Sequence, residues 1–188
     1  MGKLVQLRPD LGVEELGDDG LAAACATGDP AAQSLLFERH VDSVYRYVAR
    51  MRSSDPAAID DLVQATFIAA FRSAGQFRGA KLQSWLFGIA SNVMRTYVRK
   101  ERSRKRVATA LAEQPPPEHA HHDATDVDKL RDAVAALPPK LREVLVLMDL
   151  EGETGASVAQ TLRISEATVW RRLADARETL RIALGGAL

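Results

Sequence analysis

The chain reads as an all-α protein: two small helical domains, the second a helix-turn-helix, joined by a flexible acidic linker. Three observations predict this. Large apolar residues recur at spacings of three and four along most of the 188 residues. No stretch alternates with the period of two that marks a strand. One segment, VATALAEQPPPEHAHHDAT (residues 107–125), loses periodicity altogether and holds three consecutive prolines. The plan that results is an acidic N-terminal extension over 1–20, a helical domain over 21–106, a linker over 107–125 and a helix-turn-helix domain over 126–188.

Each helix has a legible start. Asp29-Pro30 is a cap followed by proline at the first helical position, and Phe37, Val41, Val44, Val48 and Met51 then mark an inward stripe. Asp55-Pro56 opens a second helix, with Ile59, Leu62, Val63, Phe67, Ala70, Phe71 and Ala74 on one side and Gly75 at its end. A third follows Gly79, with Leu82, Trp85, Leu86, Ile89, Val93 and Tyr97 inward. Three such helices enclose one core. Beyond the linker, Val127, Leu130, Val134 and Leu137 form one stripe, and Leu141, Val144, Leu145 and Met148 another after Pro138-Pro139. Gly152 closes that helix. Thr154 caps a short helix carrying Val158, Thr161 and Leu162, and Ser165 caps a last one with Val169, Leu173, Ala176 and Leu180 inward. Two helices separated by a turn of about three residues have the helix-turn-helix shape.

Charge is balanced in sum, 25 basic against 25 acidic side chains, and unbalanced locally. Arg95 to Arg106 holds seven basic residues and one acidic one, whereas the first 30 residues and the segment 107–136 are acidic. A phosphate backbone meets the local potential rather than the sum, so the basic run is either a nucleic-acid stripe or a solvated helix end. The single cysteine, Cys25, cannot form an internal disulfide, and no cationic, apolar leader precedes residue 30. Both point to a reducing, cytoplasmic setting. Apolar runs such as Leu145 to Met148 fall far short of the roughly 20 residues that span a bilayer, so no membrane insertion is expected. Nothing indicates an enzyme: there is no nucleophile-base pair, metal-ligand set or phosphate-cradling glycine loop, and no cofactor is expected. His119, His121, His122 and Asp123 raise a metal site, but they lack a helical spacing and read better as solvated linker residues.

Three surfaces stand out on the helices. With Val169 at zero on the last helix, Leu173, Ala176 and Leu180 fall within about 40 degrees and Arg171 at about 200 degrees. Thr168, Arg171 and Arg172, with small Ala167 and Ala174 between them, suit a major groove, where Arg bonds guanine edges or holds phosphate. A surface helix with its arginines paired to Asp175 and Glu178 is the plainer reading. On the third helix Asn92, Arg95, Thr96 and Arg99 form a polar stripe suited to an extruded base at one end and a phosphate strand along the rest. Phe77 supplies an apolar floor, a stacking face, or plain core. On the second helix Asp61, Gln64, Ala65 and Ile68 lie opposite the core face, a mixed surface suited to another protein's helix.

These segments resemble one family. DDLVQATFIAAFR (Asp60 to Arg72), FRGAKLQSWLFGIASNVMRTYVRK (Phe77 to Lys100), LPPKLREVLVLMDLEG (Leu137 to Gly152) and SEATVWRRLADARETLR (Ser165 to Arg181) are similar, in order and spacing, to the bacterial sigma-70 family of RNA polymerase sigma factors, extracytoplasmic-function (ECF) subgroup. The resemblance covers roughly residues 21–106 and 126–184. It implies that the first module is sigma region 2 and the last region 4, with a linker threading the polymerase between them. It implies core RNA polymerase as partner, through the clamp helices of the largest subunit and the flap of the second-largest, together with promoter DNA and an anti-sigma factor. Asp61, Gln64, Ala65 and Ile68 would meet the clamp helices; Phe77 and Asn92 would line the pocket for a flipped minus-ten base. Arg95, Thr96, Arg99 and Lys100 would follow its strand, and Thr168, Arg171 and Arg172 would read the minus-thirty-five element. Rivals are a sigma-like adaptor and a stand-alone helix-turn-helix regulator. Ala65 replaces an acid usual in the family, Glu153-Thr154-Gly155 replaces a hydrophobic-Ser-Tyr start, and Trp170 and Asp175 stand where arginine is frequent.

Overall fold

A computed structural model describes residues 16–52, 56–78, 81–109 and 125–185. Among these every regular element is helical: α1 (Asp18–Ala26), α2 (Pro30–Met51), α3 (Pro56–Ser73), α4 (Leu82–Thr109), α5 (Asp126–Ala136), α6 (Pro139–Leu145), α7 (Gly155–Leu162) and α8 (Glu166–Ala183). A 3-10 turn over Ala74–Gln76 follows α3, and a π turn over Val146–Leu150 extends α6. The histidines of the linker lie outside the described residues.

The first unit is α1 to α4. Asp29 caps α2 by accepting from the Ala31 amide at 2.9 Å, with Pro30 at the first helical position. Helix α1 is an addition to the expected three, and residues 18–20, assigned above to the extension, are its first turn. It buries Leu21, Ala22, Ala24 and Cys25, and the Asp18 carboxylate accepts from the Leu82 amide at 2.8 Å, capping α4 from across the bundle. Burial pushes the Cys25 thiol pKa up to about 11, with Asp29 adding to the effect. On α2, Val44 and Val48 are buried as expected, but Leu36 and Tyr47 join them in the core while Phe37 is 41% exposed. Helix α4 differs more. Its fully buried residues are Leu82, Leu86, Phe87 and Ala90, with Ser91 and Met94 close behind, and Trp85, Ile89, Val93 and Tyr97 are only half-buried. The reason is Tyr47, whose hydroxyl shares a 2.7 Å hydrogen bond with Ser91 and whose ring lies 4.9 Å from that of Phe87. A small, polar residue is drawn inward because it satisfies a buried phenol.

The second unit is α5 to α8. Thr125 and Asp128 form a reciprocal capping box on α5, Thr154 accepts from the Ser157 amide at 3.2 Å, and Ser165 accepts from the Thr168 amide at 3.2 Å. Arg163 adopts φ +54° at the C-cap of α7, making the tight turn into α8, where Val169, Leu173, Ala176 and Leu180 are all buried as the spacing predicts. Helix α5 departs from expectation, because none of its residues is buried and Val127 is 65% exposed.

The two units pack on each other through α4 against α7 and α2 against α6 and the π turn. The contacts are polar and close. Ser84 donates to Glu153 at 2.8 Å, Thr161 donates to the Ser84 carbonyl at 3.3 Å, and Arg142 donates to the Met51 carbonyl at 3.1 Å. Arg50 pairs with Glu151. Gly88 allows the approach: a Cβ there would stand 3.4 Å from the Thr161 carbonyl oxygen.

Candidate nucleic-acid interface

Asp61, Gln64, Ala65 and Ile68 share one face of α3, since offsets of three, four and seven residues return to the same side of a helix. Asp61 and Gln64 are exposed, Ala65 is half-buried and Ile68 is 43% exposed. Their burial pattern follows from the other side of α3, where Leu62, Val63, Phe67 and Ala70 enter the core and Phe67 meets Phe37 edge-on at 4.8 Å.

On α4, Asn92, Arg95, Arg99 and Lys100 are exposed and Thr96 is half-buried. Phe77 is buried, its ring against Trp85 at 5.6 Å in an edge-to-face arrangement. It is therefore a floor behind Trp85 and offers no open stacking face. Arg95 lies 3.6 Å from Glu143 of α6, so a carboxylate of the second unit answers one cation of the stripe.

On α8, Arg171 is exposed and points away from the core, as the helical wheel requires. Thr168 is half-buried, and its hydroxyl is engaged with Ser165 at 2.8 Å, so its polar atom completes the helix cap. Arg172 turns toward the first unit. Trp170 is 52% exposed, with its indole nitrogen 3.4 Å from Glu166, and its ring fills the space that a side chain at position 155 would need. A Cβ on Gly155 would stand 3.0 Å from Trp170 and from the Glu166 carboxylate. The two unusual residues are thus one feature: the indole requires the glycine.

The structure gathers residues that the sequence gives no reason to group. Arg95 and Arg99 of α4 and Arg172 of α8 line the same cavity of about 1730 Å³ between the units. Arg52, Arg102, Lys140 and Arg142 join them. Of these only Arg102 belongs to the basic run; Arg52 and Arg142 carry no periodic or compositional signal. A second groove, about 1080 Å³, runs along the uncovered stripe of α5, where Val127, Leu130 and Val134 face Leu150 and Leu180. Among the described residues no cluster of His, Cys, Asp and Glu could hold a metal ion, and no helix is long and apolar enough to cross a membrane.

Comparison with known proteins identifies the family of both units. Residues 36–104 match the family model for Sigma-70 region 2, and residues 128–180 that for Sigma-70, region 4. The chain is 35% identical over 172 residues to the ECF RNA polymerase sigma factor SigE of Mycolicibacterium smegmatis, covering 86% of this chain and 66% of that protein. It is 32% identical over 175 residues to SigM of Mycobacterium tuberculosis, covering 93% and 88%. Among solved structures, CnrH in complex with the cytosolic domain of CnrY matches with a TM-score of 0.65 and 27% identity, over 91% of this chain and 99% of that one. The sigma factor RpoE of Bartonella quintana, in complex with the anti-sigma factor NepR, shares the fold with a TM-score of 0.68 at 22% identity, over 81% and 96%.

Proposed function

We propose a division of labour for the surfaces described above, starting from the premise that this chain belongs to the ECF subgroup of the sigma-70 family of RNA polymerase sigma factors. As such it is a promoter-recognising subunit that works with core RNA polymerase in transcription initiation. Asp61, Gln64, Ala65 and Ile68 of α3 dock on the clamp helices of the largest polymerase subunit. The observation that supports this is an exposed Ile68 and half-exposed Ala65 between two polar residues on a helix whose opposite face is fully packed. The apolar groove along α5 and α8 takes the flap of the second-largest subunit, because an apolar stripe left bare on a small unit is best explained by a partner that covers it.

Promoter recognition follows from the same layout. Asn92 holds a flipped minus-ten base above the floor that Phe77 and Trp85 provide, and Arg95, Thr96, Arg99 and Lys100 follow the strand. Unstacking a base costs a few kcal/mol, comparable to one well-made pocket with its phosphate contacts. The sigma factor performs no covalent chemistry in this step; it spends binding energy on strand separation. Arg171 reads a minus-thirty-five base edge, Arg172 holds phosphate, and the Thr168 hydroxyl positions the helix start. The chain works in the cytoplasm, where the polymerase is, and an anti-sigma factor controls it, in the way that RpoE is found bound to the anti-sigma factor NepR.

The observation that carries this assignment is the exposed Asn92 on the same helix as the exposed Arg95, Arg99 and Lys100. Asn92→Ala is expected to slow open-complex formation by reconstituted holoenzyme about tenfold while leaving core binding intact; equal loss of both would sink the pocket assignment. Arg171→Ala is expected to weaken upstream recognition by about 1–3 kcal/mol at one base pair. A uniform loss over all promoter variants would instead make it a phosphate contact.

A further inference from the structure

Closing the units on each other brings together charges that lie far apart in the chain. The first unit contributes Arg52, Arg95, Arg99 and Arg102 to the cavity, and the second contributes Lys140, Arg142 and Arg172. Among the described residues, carboxylates stand beside two of these seven cations: Glu143 beside Arg95 at 3.6 Å and Glu101 beside Arg52 at 3.2 Å. The Nε atoms of Arg52 and Arg142 are buried with no hydrogen-bond partner. Burial, and then the charge of Arg52, lowers the Arg142 pKa, the direction expected where cations crowd a poorly solvated wall. Much of the remaining wall is apolar: Met51, Met94, Val98, Leu162 and Ile164. Like charges on low-dielectric walls repel more strongly than in water, so closure carries an electrostatic cost that a multivalent anion removes.

We infer that this cavity binds an oligophosphate carried by a nucleoside, its phosphates bridging the cations of both units and its base lying on the apolar wall, and that the bound ligand holds the units closed. The inference rests on the reading of α4 and α8 as nucleic-acid-binding helices. Their arginines already suit phosphate, and both sets line one cavity. A single small anion offers few oxygens to seven cations, whereas a chain of phosphates offers many along its length. A base supplies the flat apolar surface that the methionines and Leu162 would otherwise expose to water. Opening separates Lys140, Arg142 and Arg172 from Arg95 and Arg99, so the ligand binds the closed arrangement better and shifts the population toward it. Promoter DNA engages α4 and α8 at separate elements and pulls the other way.

The test uses the full chain with a donor and an acceptor dye on Asp42→Cys and Thr179→Cys, both exposed and outside the cavity lining. Cys25 is buried and stays unlabelled. Sodium tripolyphosphate and magnesium-free ATP are titrated at fixed ionic strength. Energy transfer is expected to rise saturably with both, ATP binding about threefold tighter for the base it buries, while sulfate leaves it unchanged. Lys140→Glu and Arg102→Glu are each expected to weaken binding about tenfold or more at unchanged Tm. Sulfate acting as well as tripolyphosphate, saturation without a change in transfer, or full affinity in both charge reversals would overturn the site. Equal affinity for ATP and tripolyphosphate would overturn the nucleoside half of it. Failure of holoenzyme assembled without any nucleotide to bind promoter DNA would instead strike the assignment of α4 and α8 to DNA.

Discussion

In the first unit Tyr47, Phe67, Phe77 and Phe87 are buried around α4, and the exposed stripe from Asn92 to Lys100 stands on that aromatic core. In the second unit no aromatic ring is buried among the described residues; its core is Val144, Leu147, Val158, Val169 and Leu173, and α5, α7 and α8 start on the side-chain caps Thr125, Thr154 and Ser165. Helix α5 adds no buried residue at all. The surface proposed to capture a strand therefore rides on a scaffold held by burial. Helix α8, proposed to read duplex, rides on one held by local capping, a thin aliphatic core and the close approach of α7 to α4. Small units bury a lower fraction of their surface and depend more on such devices. The second unit leans on the first while the two are closed.

The sharpest way to break this contrast is Phe87→Ala, expected to cost about 3–5 kcal/mol in urea denaturation. A loss below about 1 kcal/mol would mean that the aromatic core does not hold the first unit. The next test concerns α7 and α8. Gly155→Ala is expected to destabilise by about 1–3 kcal/mol, because the new methyl meets Trp170 and Glu166 at 3.0 Å. In a Trp170→Ala background the same change is expected to stabilise by up to about 1 kcal/mol, alanine being the better helix former. A double-mutant cycle of thermal melts gives the coupling, and additive effects would dissolve the pair.

The smallest effect lies at the seam. Burial raises the Glu151 pKa, with Arg50 and Arg46 opposing in part. Because the folded-state value lies above the unfolded one, folding is favoured more below about pH 4.5 and loses that margin as pH rises through the raised value. Glu151→Gln is accordingly expected to be neutral or stabilising by up to about 1 kcal/mol at pH 7, and to flatten the stability profile just above pH 4.5. A clear destabilisation at neutral pH would show that the Arg50 pair outweighs its desolvation.

What the sequence made legible follows the same division. The caps Asp29, Thr154 and Ser165 and the stripe of α8 were readable, because a cap is a local hydrogen bond and a long amphipathic helix repeats its signal. Helix α1 was not, since Gly20 and a run of alanines give it little periodicity. The inward face of α4 departs from its apolar periodicity because Ser91 is buried by its hydrogen bond to Tyr47, not by hydrophobicity of its own. The surfaces on α3 and α8 could be assembled from helical spacing alone. The charged cavity could not, because Arg52, Arg142 and Arg172 meet only through contacts between units, made by Ser84, Gly88 and Thr161, that have no period to read.

The inward face of α1 encloses Cys25, and this bears on signalling. With a thiol pKa of about 11, roughly one molecule in ten thousand carries a thiolate at pH 7. Peroxides and disulfide reagents act on the thiolate, so the Cys25 sulfhydryl is a poor target for them in the folded state. An oxidative stimulus that alters transcription through this subunit is expected to act elsewhere than on Cys25.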